Sequence, residues 1–159
     1  MSAYITFYIK RPDDNYYIEL DSWSRNDKMF HYLSDLVYYE NCIEVSANDL
    51  SDLIETAKID KAEYENLRDK QTKDMEFCAS IPANTVEVFH ELLEELQSYK
   101  ESIEEYNSEI EEIEEAISQL NTYESIAENI GDSWRPKPIA SLYLAYEMDP
   151  NYREKEIPS

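Results

Sequence analysis

The sequence predicts an α+β protein, mostly helical. A small head of three antiparallel strands and one helix is joined to a long antiparallel α-helical hairpin of coiled-coil type. Three observations carry that expectation: the chain opens on alternating β-type residues, two long runs in heptad register flank Pro82, and a last alternating apolar run follows Gly131. The implied division is a head from 1–45 and 131–148, a hairpin over 46–130 with its tip near 80–84, and a flexible tail over 149–159.

In Tyr4–Lys10, Ile5, Phe7 and Ile9 alternate with Thr6 and Tyr8, the period of a strand with one buried face. Arg11-Pro12-Asp13-Asp14-Asn15 has turn chemistry, and Ile18 and Leu20 resume the alternation, which makes a β-hairpin. Asn26 or Asp27 then caps a helix reaching about Tyr39, with Met29, Phe30, Leu33, Leu36 and Val37 as its inner stripe.

Ser46 and Asp49 stand at capping-box spacing before the first long helix. Leu50, Leu53, Ala57, Tyr64, Leu67 and Gln71 fall in heptad register, with a flaw at Asp60 that predicts a local break. Pro82 ends the run, and Asn84 with Glu87 at the third helical position restarts it. The second helix carries Phe89, Leu92, Leu96, Tyr99, Ile103, Tyr106, Ile110, Ile113, Ile117 and Leu120 at steps of three and four. Folding the chain about Pro82 sets Leu53 opposite Ile110, Tyr64 opposite Tyr99 and Leu67 opposite Leu96. The same register leaves Lys61 near Lys100. The second helix is the longer, so its part beyond Ile117 packs on something else, and the head is the economical choice. Gly131 stops it, and Ile139–Met148 is the third strand, Leu142 and Leu144 on one face and Tyr143 on the other.

Charge is the chain's other signature. The formal net charge is −22, and the stretch Glu87–Glu128 holds 14 carboxylates against one lysine, Lys100. Direct binding to nucleic acid or to an anionic membrane runs on clustered lysine and arginine, so neither is expected. A basic protein partner is electrostatically favoured. Glu91, Glu94, Glu101, Glu104, Glu105, Glu111, Glu112 and Glu115 are the outer positions of the acidic helix and the first candidates for partner binding. Fourteen tyrosines against four phenylalanines suggest half-buried contact surfaces, and Tyr8 and Tyr143 are the candidates on the sheet face turned away from its helix.

Enzyme chemistry finds little support. His31 and His90 are the only histidines, and neither has the local context of a triad. Glu87 and His90 match one Glu-x-x-His element of a di-iron bundle, but Lys28 stands where His31 would need its glutamate. A single glycine excludes phosphate loops, and Cys42 and Cys78 lack zinc spacing. No cofactor, metal or catalytic residue is expected. Two cysteines without a signal peptide or apolar span point to a reducing, cytoplasmic location in a bacterium or a phage-infected host.

By composition the chain looks like the small acidic proteins that phages and mobile elements use against host nucleases, anti-restriction and anti-CRISPR proteins among them. That likeness implies a non-catalytic inhibitor acting as a nucleic-acid mimic on a basic surface, such as that of a nuclease. The alternative is a structural or adaptor coiled-coil protein that self-associates, as a homodimer for instance, or holds a partner helix.

Overall fold

The computed structural model describes residues 2–39, 41–131 and 139–148. The element order is β1 (Tyr4–Lys10), β2 (Ile18–Ser24), α1 (Lys28–Leu33), β3 (Cys42–Val45), α2 (Ala47–Ala79), α3 (Val86–Ile130) and β4 (Ser141–Glu147). The chain is α+β, with one antiparallel sheet in the order β2-β1-β4-β3. It divides into two compact units, Met1–Ala57 with Ala116–Ser159, and Lys58–Glu115. The unit boundaries fall inside α2 and α3 and not at the expected head–hairpin junction. The expected tail, 149–159, lies outside the described residues.

In the first unit the sheet has four strands where three were expected. The additional strand, β3, is four residues long, too short to show an alternation in the sequence. β1 pairs with both β2 and β4, and both of its faces are covered: Ile5 and Phe7 are completely buried on one and Thr6 and Tyr8 on the other. On the helix side, the Tyr123 ring of α3 stacks on Phe7 at 4.1 Å between centroids, and Trp23 meets both rings edge-on. Leu50, Leu53, Ile54 and Ala57 of α2, and Ala116, Leu120 and Ala127 of α3, are buried in the same unit. Partner Cα positions slip between Phe7/Asp21 and Tyr8/Glu19, so Leu20 is an extra residue in β2. The slip breaks the alternation expected there, and Ile18 and Leu20 are exposed on an edge strand.

α1 stops at Leu33, short of the expected Tyr39. Ser34 Oγ donates to the His31 carbonyl at 2.7 Å, and tight turns through Val37 replace the helix. Asp27 is its N-cap, but the Asp27 carboxylate accepts from the Ser24 backbone N–H at 3.0 Å instead of capping the helix. The Ser46–Asp49 box does form: Ser46 N–H donates to Asp49 Oδ2 at 2.9 Å and Asp49 N–H to Ser46 Oγ at 3.2 Å. At the far end of α3, Gly131 N–H donates to the Ala127 carbonyl at 3.1 Å, and an added Cβ would lie 3.1 Å from that same oxygen.

In the second unit α2 runs through Asp60 without the expected break. The α3 N-cap is Thr85, not Asn84: Val88 N–H donates to Thr85 Oγ1 at 3.1 Å. The two helices are antiparallel, but in another register. Tyr64 meets Tyr106 and not Tyr99, Lys61 Nζ pairs with Glu114 at 3.2 Å and not with Lys100, and Cys78 Sγ donates to Glu95 at 3.4 Å. A shift by a whole heptad, such as the seven residues from Tyr99 to Tyr106 opposite Tyr64, carries one apolar seam onto another, so the apolar pattern cannot tell the registers apart. Charge differs between them: Lys61, near Lys100 in the expected register, lies against Glu114 instead. Leu67, expected in the seam, is 44% exposed.

The new register also moves the unmatched end of α3. With Glu95 across from Cys78, the first turns of α3 run past the end of α2 at Ala79, and Val86, Phe89 and Leu93 are exposed there. Cys78, Ile110 and Ile113 are the buried apolar residues of the second unit. With so thin a core, amide hydrogens of α2 and α3 within residues 58–108 are expected to exchange at least about tenfold faster than those of β1 and β4. Equal protection in hydrogen-exchange mass spectrometry would contradict this.

Candidate functional site

The acidic face is built by helix periodicity. α3 is unbroken from Val86 to Ile130, so residues at alternating steps of four and three stay on one line. Glu87, Glu91, Glu94, Ser98, Glu101, Glu105, Ser108, Glu112 and Glu115 occupy such a line, and each of them is exposed. Seven carboxylates thus follow one another over about 42 Å of helix, one per ~6 Å. Glu104 and Glu111 border the line and are exposed as well. All eight glutamates expected as partner-binding positions therefore lie in solvent, on one helix of the second unit. Glu87 was missed as a member, although writing the acids out in heptads would have shown it.

The charge is one-sided. Within the second unit, α2 residues 58–79 carry six acids and five bases, whereas residues 87–115 carry twelve acids and one base. The negative field therefore belongs to α3. Two ion pairs of this unit, Lys61 with Glu114 and Arg68 with Asp69, lie off the line. Glutamates one turn apart along the line repel one another, and salt screens that repulsion. The melting temperature is expected to rise by about 3 °C or more between 10 and ~300 mM NaCl. A fall over that range would mean that attractive pairs dominate.

The same helix lines an open depression of about 600 Å³, also within the second unit. Tyr64 and Tyr106 form part of its wall, their ring centroids 6.2 Å apart and inclined at 47°. Glu101, Glu104, Glu105, Ser108 and Glu109 line the rest. The sequence placed Tyr64 and Tyr106 in the seam but opposite other residues, and so gave no sign of this meeting.

The tyrosine face expected on the sheet is not an open surface. Tyr8 is completely buried: its hydroxyl donates to Glu147 Oε1, and Tyr17 packs edge-on against its ring. Tyr143 is half-buried, with Tyr17 edge-on at 5.3 Å. Tyr8 and Ala145, with Tyr17, Cys42 and Tyr143 against them, make a small second core on that side of the sheet. Among the described residues the exposed tyrosines are Tyr16, Tyr38 and Tyr39, and Tyr39 sits against Tyr146. Tyr8 is therefore withdrawn as a contact residue, because the turn after β1 folds Tyr17 over it.

Burial, and then the Glu147 carboxylate, push the Cys42 thiol from 9.0 up to about 11. Burial, and then the Asp21 carboxylate, also raise the Tyr123 hydroxyl. Both groups are held protonated in the folded chain. Above pH 9 the unfolded chain loses the Cys42 proton while the folded chain keeps it, so stability falls as pH rises through 9 to about 11. Half-exposure limits the loss at Cys42 to about 1 kcal/mol. Urea unfolding at pH 8 and pH 10.5 measures it, and Cys42→Ala is expected to flatten part of the dependence. An unchanged midpoint in the wild-type protein would contradict the assignment.

Among the described residues, no group of three or more His, Cys, Asp or Glu side chains is placed to hold a metal ion. No helix among them is long and apolar enough to cross a membrane. Comparison with known proteins finds no matching family model, no matching curated protein and no matching solved structure.

Proposed function

We propose that this protein acts without catalysis, as an acidic inhibitor whose α3 face occupies a basic, nucleic-acid-binding surface of a partner protein. The observation that carries this reading is the line of seven exposed glutamates from Glu87 to Glu115 on a single uninterrupted helix. Duplex DNA offers one phosphate per about 3.4 Å along each strand. A carboxylate every ~6 Å on average is sparser and less even, because Ser98 and Ser108 interrupt the line. It is presented on a preformed helix, which lowers the ordering cost of binding. A nuclease or another nucleic-acid-binding protein is the partner class this face fits, and anti-restriction or anti-CRISPR action in the cytoplasm of an infected bacterium is the biological setting.

The test is capture of partners from a bacterial lysate on the immobilised protein, followed by competition with duplex DNA. The reading requires captured proteins that bind nucleic acid and are released by DNA. Captured proteins indifferent to DNA would reject it. The adaptor reading is favoured by a different feature, the exposed Val86, Phe89 and Leu93 where α3 runs past α2. It requires that substituting those residues, and not the glutamates, abolishes capture.

A further inference from the structure

The depression beside Tyr64 and Tyr106 adds a chemical preference to the acidic face. We propose that it is an anchoring site for an arginine side chain of the basic partner, a refinement that rests on the reading above. Two features single out this position on α3. The line of glutamates offers negative charge throughout, but here it adjoins two aromatic rings that are not stacked on one another, so ring surface and carboxylates line one opening. A cation over an aromatic ring is held by the ring's quadrupole, and more strongly when carboxylates share its guanidinium protons.

Guanidinium is favoured over ammonium on both counts. It is planar, so it lies flat on a ring, and its forked donors reach two carboxylate oxygens at once. It is also the more weakly hydrated ion and loses less on leaving water. Glu101 and Glu105 belong to the line itself, whereas Glu104 and Glu109 bring charge from beside it. The opening is therefore surrounded by carboxylates and holds no basic side chain of its own among its lining residues. A lysine-bearing surface would be attracted by the charge all along α3. An arginine would gain in addition at this one place.

The experiment uses two decapeptides of equal charge, alternating Arg-Gly and alternating Lys-Gly, titrated into the full chain at low salt. The arginine peptide is expected to bind about threefold tighter or more. Its side-chain δ protons should give intermolecular NOEs to the Tyr64 and Tyr106 rings. Tyr64→Leu and Tyr106→Leu should bring the two affinities together by weakening only the arginine peptide, while Tyr106→Phe keeps the preference. Circular dichroism confirms the fold of each variant. If a leucine variant fails to fold, the NOEs and the peptide ratio in the wild-type protein still decide. Equal affinities with no contact to either ring overturn the anchoring site and leave the acidic-face reading standing, provided that Gln substitutions along the line weaken both peptides. Failure of both peptides to bind at low salt overturns the two together.

Discussion

Phe7→Ala is expected to cost about 3–5 kcal/mol, a large part of the 5–15 kcal/mol that holds a domain of this kind together. Phe7 is fully buried, stacks on Tyr123 at 4.1 Å and takes Trp23 edge-on, so truncation removes two ring contacts and leaves a cavity between sheet and helix. The same change frees the Tyr123 ring, whose hydroxyl feels the Asp21 carboxylate of β2. Urea unfolding followed by tryptophan fluorescence reads the effect directly, because Trp23 is 7% exposed in the fold and lies in this cluster. A loss below about 1 kcal/mol would mean that Phe7 does not anchor α3 to the sheet. The contrasting substitution is Leu67→Asp. The heptad pattern makes it disruptive, yet Leu67 is 44% exposed, and the change is expected to stay within ~0.5 kcal/mol.

That contrast shows where the sequence was legible. Period alone located β1, β4 and both long helices, and the Ser46–Asp49 box formed as its spacing implies. What period cannot supply is the choice among equivalent registers. α2 and α3 each repeat every seven residues, so Tyr64 finds an aromatic partner at Tyr99 or at Tyr106 alike. The registers differ in pairs outside the seam, such as Lys61 with Glu114. The missed strand has a related cause. Cys42–Val45 becomes a strand because β4 offers it an edge, and a tertiary contact of that kind leaves no local pattern in four residues. Tyr8 went wrong for the same reason: alternation correctly set it opposite Phe7, but only the path of the chain through Tyr17 shows that this side is covered. The candidate site fared otherwise. Exposure of the eight glutamates follows from the seam occupying the opposite side of α3, whereas the depression depends on the register and could not be read.

Replacing Glu94, Glu101, Glu105 and Glu112 with Gln is expected to slow association with the captured basic partner about tenfold or more at low salt, with little change in the dissociation rate. These four lie on the line along α3, and all are exposed. Gln has nearly the same helix propensity and shape as Glu, so the fold should persist. The variant should melt slightly higher than the wild type, because like charges one turn apart have been removed. Long-range attraction acts before contact, and its loss therefore appears in the on-rate. Near 0.5 M salt, where the screening length is about 4 Å, the two proteins should converge. The control removes charge elsewhere in the same unit: Glu63→Gln with Glu76→Gln, exposed on α2 and off the line. If total charge were all that mattered, each lost carboxylate would count equally, and the control would show half the effect on a logarithmic scale. If position matters, it shows far less, since the field of this unit arises from α3. Surface plasmon resonance over a salt series separates these outcomes. A four-Gln variant that associates as fast as the wild type at low salt would reduce the acid to a solubility coat, and the proposed inhibitory face would be wrong.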